Sequence, residues 1–148
     1  IPDNFCWIVR VDCLVLEYGG NLLDTLMVAV RGALADTKLP QIEIVESDGA
    51  IDFTLADEET EPLKGANDIP TTISFYKIGQ RHVLDPTPSE ELCSSCHVSV
   101  SMSSTGKAVL VEKFGSGGLN PLDLVEYLKI AKTITPQYHL HSSYLGKH

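Results

Sequence analysis

The segment LDPTPSEELCSSCH, residues 84–97, concentrates the side chains of this chain that could do chemistry: Asp85, Glu90, Glu91, Cys93, Cys96 and His97. Cys93-Ser-Ser-Cys96-His97 has the C-x-x-C-H spacing in which two thiols bond covalently to haem and the adjacent histidine ligates iron. The same three side chains could begin a zinc site, but zinc wants four ligands in tetrahedral array. No second C-x-x-C follows, and His82 is the nearest further ligand in sequence. The context opposes both metals, because His97 opens HVSVSM, an alternating strand pattern rather than a helical turn. A redox C-x-x-C works best at a helix N-terminus, where the dipole lowers a thiol pKa. This pair precedes a strand, so the sequence predicts buried, inert thiols. Asp85, Glu90 and Glu91 could hold Mg²⁺ or act as acid and base, against the plainer reading of a solvated turn beside Pro86 and Pro88.

Two other features compete with this segment. His139 and His141 alternate in the C-terminal tail and could chelate a metal, against the plainer reading of a floppy end. Gly19-Gly20 and Gly115-Ser-Gly-Gly118 each precede a helical pattern, where backbone N–H groups can hold an anion. Turns need glycine in any case.

Elements must position these groups. WIVRVDCLVLE, residues 7–17, is β-branched and apolar, with Arg10 and Asp12 on one alternating face, and predicts a strand. After a Tyr-Gly-Gly turn, Asn21 is a suitable N-cap, and Leu22, Leu23, Leu26, Val30, Ala33 and Leu34 recur near helical spacing. QIEIVES predicts a half-exposed strand, paired through Asp48-Gly49 with DGAIDFTLAD. The acidic stretch that follows predicts a loop. TTISFYKIG and RHVLD read as strands joined at Gly79-Gln80, and HVSVSMSSTGKAVLVEKFG as a second hairpin turning near Thr105-Gly106. NPLDLVEYLKIAKTI predicts a helix capped by Asn120, with Pro121 at its first position and Leu124, Val125, Leu128 and Ala131 on one face. The tail beyond residue 134 has no periodicity and predicts fraying. Strand, helix, several antiparallel strands and helix make an α+β class, with helices covering one face of a mixed or antiparallel sheet.

Composition bounds the partners. With 148 residues, 43% hydrophobic and 21% charged, the chain has globular proportions, and no apolar run approaches the roughly 20 residues that cross a bilayer. The expectation is a soluble protein with no membrane partner. A net charge of −9 argues against broad binding to a phosphate backbone by this chain alone. Between Glu43 and Glu61 there are eight acidic residues and no basic one, which predicts a solvated face or, less simply, a docking face for a basic partner. Four cysteines without a secretion signal predict free thiols in a reducing compartment. The first residues, IPDNFCWIV, suit neither a signal peptide nor a natural start, so a fragment is expected.

Taken together, CWIVRVDCLVLEYGGNLLDTLMVAVRGAL, KIGQRHVLDPTPSEELCS, the Gly-rich turn and the last helix resemble the ribonuclease PH family, specifically the ring subunits of the eukaryotic RNA exosome. R-H-V before the acidic motif and E-x-C-S after it point within that family to the component-seven type. The resemblance spans about residues 5–134 and implies the C-terminal portion of such a subunit. It implies residues 1–62 as the end of the first ribonuclease PH subdomain, 63–134 as the second, and 135–148 as a disordered tail.

The resemblance also makes a residue-by-residue test of catalysis. Phosphorolytic members hold phosphate with a loop like D-G-G-[ST]-R, in which arginine gives a charged fork. Here the loop is Tyr18-Gly19-Gly20-Asn21-Leu22, with Leu22 at the arginine position. They also carry a pair of aspartates six residues apart, in D-L-x-x-x-E-D-x-x-x-x-x-D; aligned on Leu84-Asp85, these positions hold Glu91 and His97. The resemblance therefore implies a non-catalytic ring subunit with no cofactor. Its implied partners are related subunits in a hetero-hexameric ring, cap subunits, a separate 3′-to-5′ exoribonuclease, and single-stranded RNA threaded through the assembled channel. Arg10 and Arg81 are the local candidates for RNA contact, and nucleus, nucleolus and cytoplasm the implied locations. Two alternatives stand beside it: an active phosphate-dependent exoribonuclease using Glu91, and a haem or zinc protein built on Cys93, Cys96 and His97.

Overall fold

A computed structural model describes residues 5–47 and 50–145, with side chains apart from 46, 47, 50, 57, 58, 67 and 139–145. Helix α1 (Leu22–Asp36) leads into a two-stranded antiparallel ribbon of β1 (Lys38–Ser47) and β2 (Ala50–Pro62). A short 3₁₀ turn (Ala66–Asp68) connects it to β3 (Thr71–Ile78) and β4 (Arg81–Leu84). Then come α2 (Pro88–Cys93), β5 (Cys96–Met102), β6 (Ala108–Phe114) and α3 (Pro121–Leu145). The second sheet is antiparallel throughout, in the order β4-β3-β5-β6. Both hairpins of this sheet lie where the alternation placed them, and Ile78 pairs with Arg81 across the Gly79-Gln80 turn.

Each strand of the central pair has two different sides. Phe75 pairs with Val98 and Ile73 with Val100, and these residues with Met102, Tyr127 and Ala131 form the core beneath α3. Phe75 and Tyr127 stack with centroids 4.4 Å apart. On the other side, Ser74 pairs with Ser99 and Thr72 with Ser101, and all four are buried. Their hydroxyls satisfy one another, Ser74 with Ser99 at 2.8 Å and Thr72 with Ser101 at 2.9 Å, which removes the penalty of burying them. Helix α1 lies on this polar side of β3.

Several local expectations are revised. Residues 7–17 form no strand: a strand needs a neighbour for its backbone groups, and none of the described residues supplies one. Its apolar side chains stand in solvent, with Ile8 88% and Leu16 89% exposed. The acidic stretch is not a loop, because β2 continues through it to Pro62. It accommodates there by a bulge, where residues 56–59 fall opposite Gln41 between the pairs Ile42–Leu55 and Pro40–Thr60. Asp48-Gly49 lies outside the described residues, with Ser47 and Ala50 paired on either side.

Where a solvated turn was expected, Thr87-Pro88-Ser89-Glu90 opens α2 as a capping box. Thr87 Oγ1 accepts from the Glu90 amide and Glu90 Oε2 from the Thr87 amide. Helix α3 does not stop near residue 134 but runs to Leu145 with Pro136 inside it. No helix of the described residues is long and apolar enough to cross a membrane.

Candidate functional site: a cleft with degenerate chemistry

Leu22, Glu91 and His97, far apart in sequence, line one open cleft of about 460 Å³, together with Tyr18, Leu23, Leu26 and Tyr76. The Tyr18–Asn21 loop reaches it by packing directly on the turn before α2. Gly20 has φ 103°, and a Cβ there would overlap the Pro86 carbonyl, so only glycine lets the two segments meet. The only non-glycine residues with positive φ among those described are Asn21 (47°) and Asp85 (51°), and they face each other across this junction. Asn21 Nδ2 donates to Asp85 Oδ1 at 3.4 Å and to Asp24 Oδ2 at 3.1 Å. Asn21 thus begins α1 as expected, but its side chain ties the two loops together instead of capping the helix.

Glu91 is held by donors at both oxygens. It accepts from the Tyr18 hydroxyl and from the Asn21 backbone N–H at 2.9 Å, and Tyr76 lines the cleft beside it. Burial pushes its carboxyl up, but these hydrogen bonds and the neighbouring His97 outweigh that and leave the pKa below the usual glutamate value. The same contact, reinforced by burial, raises the Tyr18 hydroxyl. Burial, then Glu91, pushes Tyr76 far above the tyrosine range. The cleft therefore holds a carboxylate bonded through both oxygens to its own chain.

His97 lies between two rings on neighbouring strands. Tyr76 stacks on one face at 4.6 Å and Phe114 on the other at 4.8 Å, since the three residues are paired across β3, β5 and β6. Burial lowers its pKa against the pull of Glu91 and Asp24.

Asp24 is a residue that the sequence reading missed. It accepts from the Ser74 amide at 2.8 Å, the Ser74 hydroxyl at 2.7 Å and Asn21, so it fastens the first turn of α1 to β3. Burial raises its pKa in spite of these bonds, and Asp85 adds to the rise. Its signal was position: an acid in the first helical turn, two residues after an apolar one, on the side that faces the sheet. Further along α1, buried Arg31 donates to Thr71 at 2.7 Å.

The remaining sequence candidates fall elsewhere. Arg10 pairs with Asp12 at 3.6 Å with both side chains exposed, and Arg81 is exposed at the start of β4; neither lines the cleft. Cys96 is buried as expected, but Cys93 is exposed, because the unexpected helix α2 ends on it and turns it outward. His82 Nδ1 meets the Tyr127 hydroxyl at 2.9 Å rather than the thiols. Among the described residues no group of three His, Cys, Asp or Glu converges as a metal site, and the side chains of His139 and His141 lie outside them. Glu90 is occupied in the capping box.

Comparison with known proteins assigns this arrangement. Domain 1 of the 3′ exoribonuclease family matches residues 1–40 and domain 2 matches residues 68–134, together most of the chain. The chain belongs to the ribonuclease PH family of 3′ exoribonucleases. A Dictyostelium discoideum protein that bears the name exosome complex exonuclease RRP42 is 29% identical over 136 residues, covering 90% of this chain and 42% of that protein. The exosome complex component Rrp42 of Sulfurisphaera tokodaii is 36% identical over 130 residues, covering 86% of this chain and 46% of the relative. In shape, the archaeal exosome core matches with TM-score 0.66 at 21% identity, covering 86% of this chain and 47% of that one. The chain thus spans less than half the length of these ribonuclease PH relatives. It has the family's α+β fold.

Proposed function

We propose that this chain is part of a non-catalytic ring subunit of the RNA exosome, of the component-seven type. The observation that carries the reading is the lining of the cleft, which contains a carboxylate bonded through both oxygens to its own chain, a histidine with both faces covered and, among the described residues, no lysine or arginine. Phosphorolysis needs a positive group to hold the attacking phosphate and to stabilise charge on the transferred one. Leu22 stands at the position expected for that group and cannot supply it. Glu91 and His97 take the two acidic positions, and a neutral imidazole is no substitute for a carboxylate.

In this reading the subunit acts by assembly. Related ribonuclease PH-like subunits flank it in a six-membered ring, cap subunits sit on the ring, and single-stranded RNA passes through to a separate 3′-to-5′ exoribonuclease. Arg81, exposed at the start of β4, and Arg10 are its candidate RNA contacts. The chain divides near residue 62 into the end of the first subdomain and a second subdomain reaching about residue 134. Nucleus, nucleolus and cytoplasm are where such a complex works. The relatives' names, which refer to the exosome complex, support the assembly half of the reading.

The test is an assay of the full-length protein, alone and with its ring neighbours, on a short RNA with and without inorganic phosphate. No nucleoside diphosphate attributable to this subunit is expected, and its phosphate-dependent release by the isolated protein would overturn the proposal. Failure to co-purify with other exosome subunits would sink the assembly half independently.

A further inference from the structure

The four-stranded sheet is finished on one edge and open on the other. Every residue of β6 is exposed, although Ala108-Val109-Leu110-Val111 reads like a strand covered on both faces. Helix α3 packs on β3 and β5, and α1 on β3, so neither reaches over β6. Val111, 41% exposed, is on the side of the sheet where α3 lies, as its pairing with Val100 requires, and Val109, 62% exposed, is the unpaired residue of a bulge between Ala108 and Leu110. The outer backbone groups of β6 have no strand beside them among the described residues. Natural edges are normally short, charged or covered, and an apolar one is a template for a further strand.

The surroundings of this edge specify the partner. Val125, Lys129 and Lys132 recur at helical spacing along one flank of α3. That flank faces β6, because the Lys132 stem lies 3.4 Å from where a Cβ on Gly106, in the β5–β6 turn, would sit. Val125, on the same flank, is 48% exposed. Lys113 projects from the same sheet face, since it pairs with Val98, and its Nζ donates to the Gly115 carbonyl at 2.8 Å. Among the described residues none of these three lysines is ion-paired with a carboxylate. The one acid of β6, Glu112, pairs with Ser99 and so faces the other side. In a chain of net charge −9, this edge is an apolar strip rimmed by cations.

We propose that β6 accepts an extended, acidic segment of a partner protein as a fifth strand of the sheet. Main-chain hydrogen bonds to the free edge would hold it. Of its alternate side chains on the α3 face, apolar ones would lie on Val111 and Val125 and carboxylates would meet Lys113, Lys129 and Lys132. Charge complementarity selects an acidic occupant. The apolar floor, with no aromatic ring on this face for base stacking, favours a peptide over RNA.

The test titrates the full-length protein with a fluorescein-labelled peptide of repeated Val-Ser-Glu-Ser, which puts valine and glutamate on the same face of a strand, read by fluorescence anisotropy and by hydrogen exchange at β6. Saturable binding, weakened by salt and accompanied by slower exchange of the β6 amides, is the expected result. Lys129→Glu with Lys132→Glu should weaken it at least tenfold, and Val111→Glu should abolish it; far-ultraviolet circular dichroism checks that both variants fold. The same peptide with lysine in place of glutamate should not bind. No saturation with the glutamate peptide overturns the proposal. So does displacement of that peptide by oligouridylate, which would make the edge an RNA surface. Slow exchange at β6 that appears only with rising protein concentration would assign the edge to a second copy of the chain.

Discussion

The two sides of the β3–β5 pair differ in kind although they share the same strands. Under α3 the contacts are apolar and stacked: Phe75 on Tyr127, with Val98, Val100 and Met102 around them. Under α1 they are polar and directional: Asp24 to Ser74, Ser74 to Ser99, Thr72 to Ser101, and outward from these the cleft of Tyr76, His97 and Glu91. Apolar packing is tolerant of detail and supplies most of the stabilisation. Hydrogen-bonded networks fix geometry and are costly when one partner is lost. The difference teaches that one side keeps the sheet together while the other keeps a particular arrangement at its surface.

The largest test of this contrast is Phe75→Ala, which removes a fully buried ring and its stacking partner. It should cost about 3–5 kcal/mol in urea unfolding, and a loss below about 1 kcal/mol would mean that the α3 side does not dominate. Asp24→Asn comes next: one carboxylate oxygen becomes an NH₂ group, so the Ser74 hydroxyl must turn from donor to acceptor and the network loses its charged acceptor, at about 1–3 kcal/mol. Tyr127→Phe removes only the hydroxyl bonded to His82 and keeps the ring stack, so about 0.5–1.5 kcal/mol is expected. Exposed Arg10 gives the smallest effect, with Arg10→Ala within about 0.5 kcal/mol.

Acidity separates two carboxylates of the same network. The folded pKa of Asp24 is raised, so the folded state binds its proton more tightly than the unfolded chain does. Its contribution to stability therefore rises as pH falls through the folded value toward the ordinary one, and the cost of Asp24→Asn should grow on acidification. Glu91 has a lowered pKa, so its contribution is complete above the ordinary glutamate value and is lost as pH falls through the folded one. The cost of Glu91→Gln should accordingly shrink in acid. Parallel slopes for the two variants, measured by urea unfolding at a series of pH values, would break the assignment of burial to one and hydrogen bonding to the other.

Much of this fold was legible in periodicity. TTISFYKIG, RHVLD and HVSVSM alternate, and each became a strand of the sheet, because a strand with one face on a core leaves a period of two in its sequence. Leu124, Leu128 and Ala131 likewise marked the face of α3 that meets the core. The missed elements have local reasons. Helix α2 is too short to show a periodic face, and only its capping box announces it. Residues 7–17 have the composition of a strand, but strand formation depends on a neighbour, which a segment's own sequence does not contain. The serines of β5 look like a solvent face, yet they are buried because hydroxyls from β3 and a carboxylate from α1 satisfy them.

By itself the sequence determined which residues could take part in a site and which could not: no fold can turn Leu22 into a cation or His97 into a carboxylate. Tertiary structure alone decided that Leu22, Glu91 and His97 share a cleft, that Glu91 accepts from Tyr18 and Asn21, and that Asp24 fastens α1 to β3. The physical reason is range. Composition and alternation are local, whereas a hydrogen bond between residues 70 positions apart exists only once glycine at position 20 lets two loops close on each other.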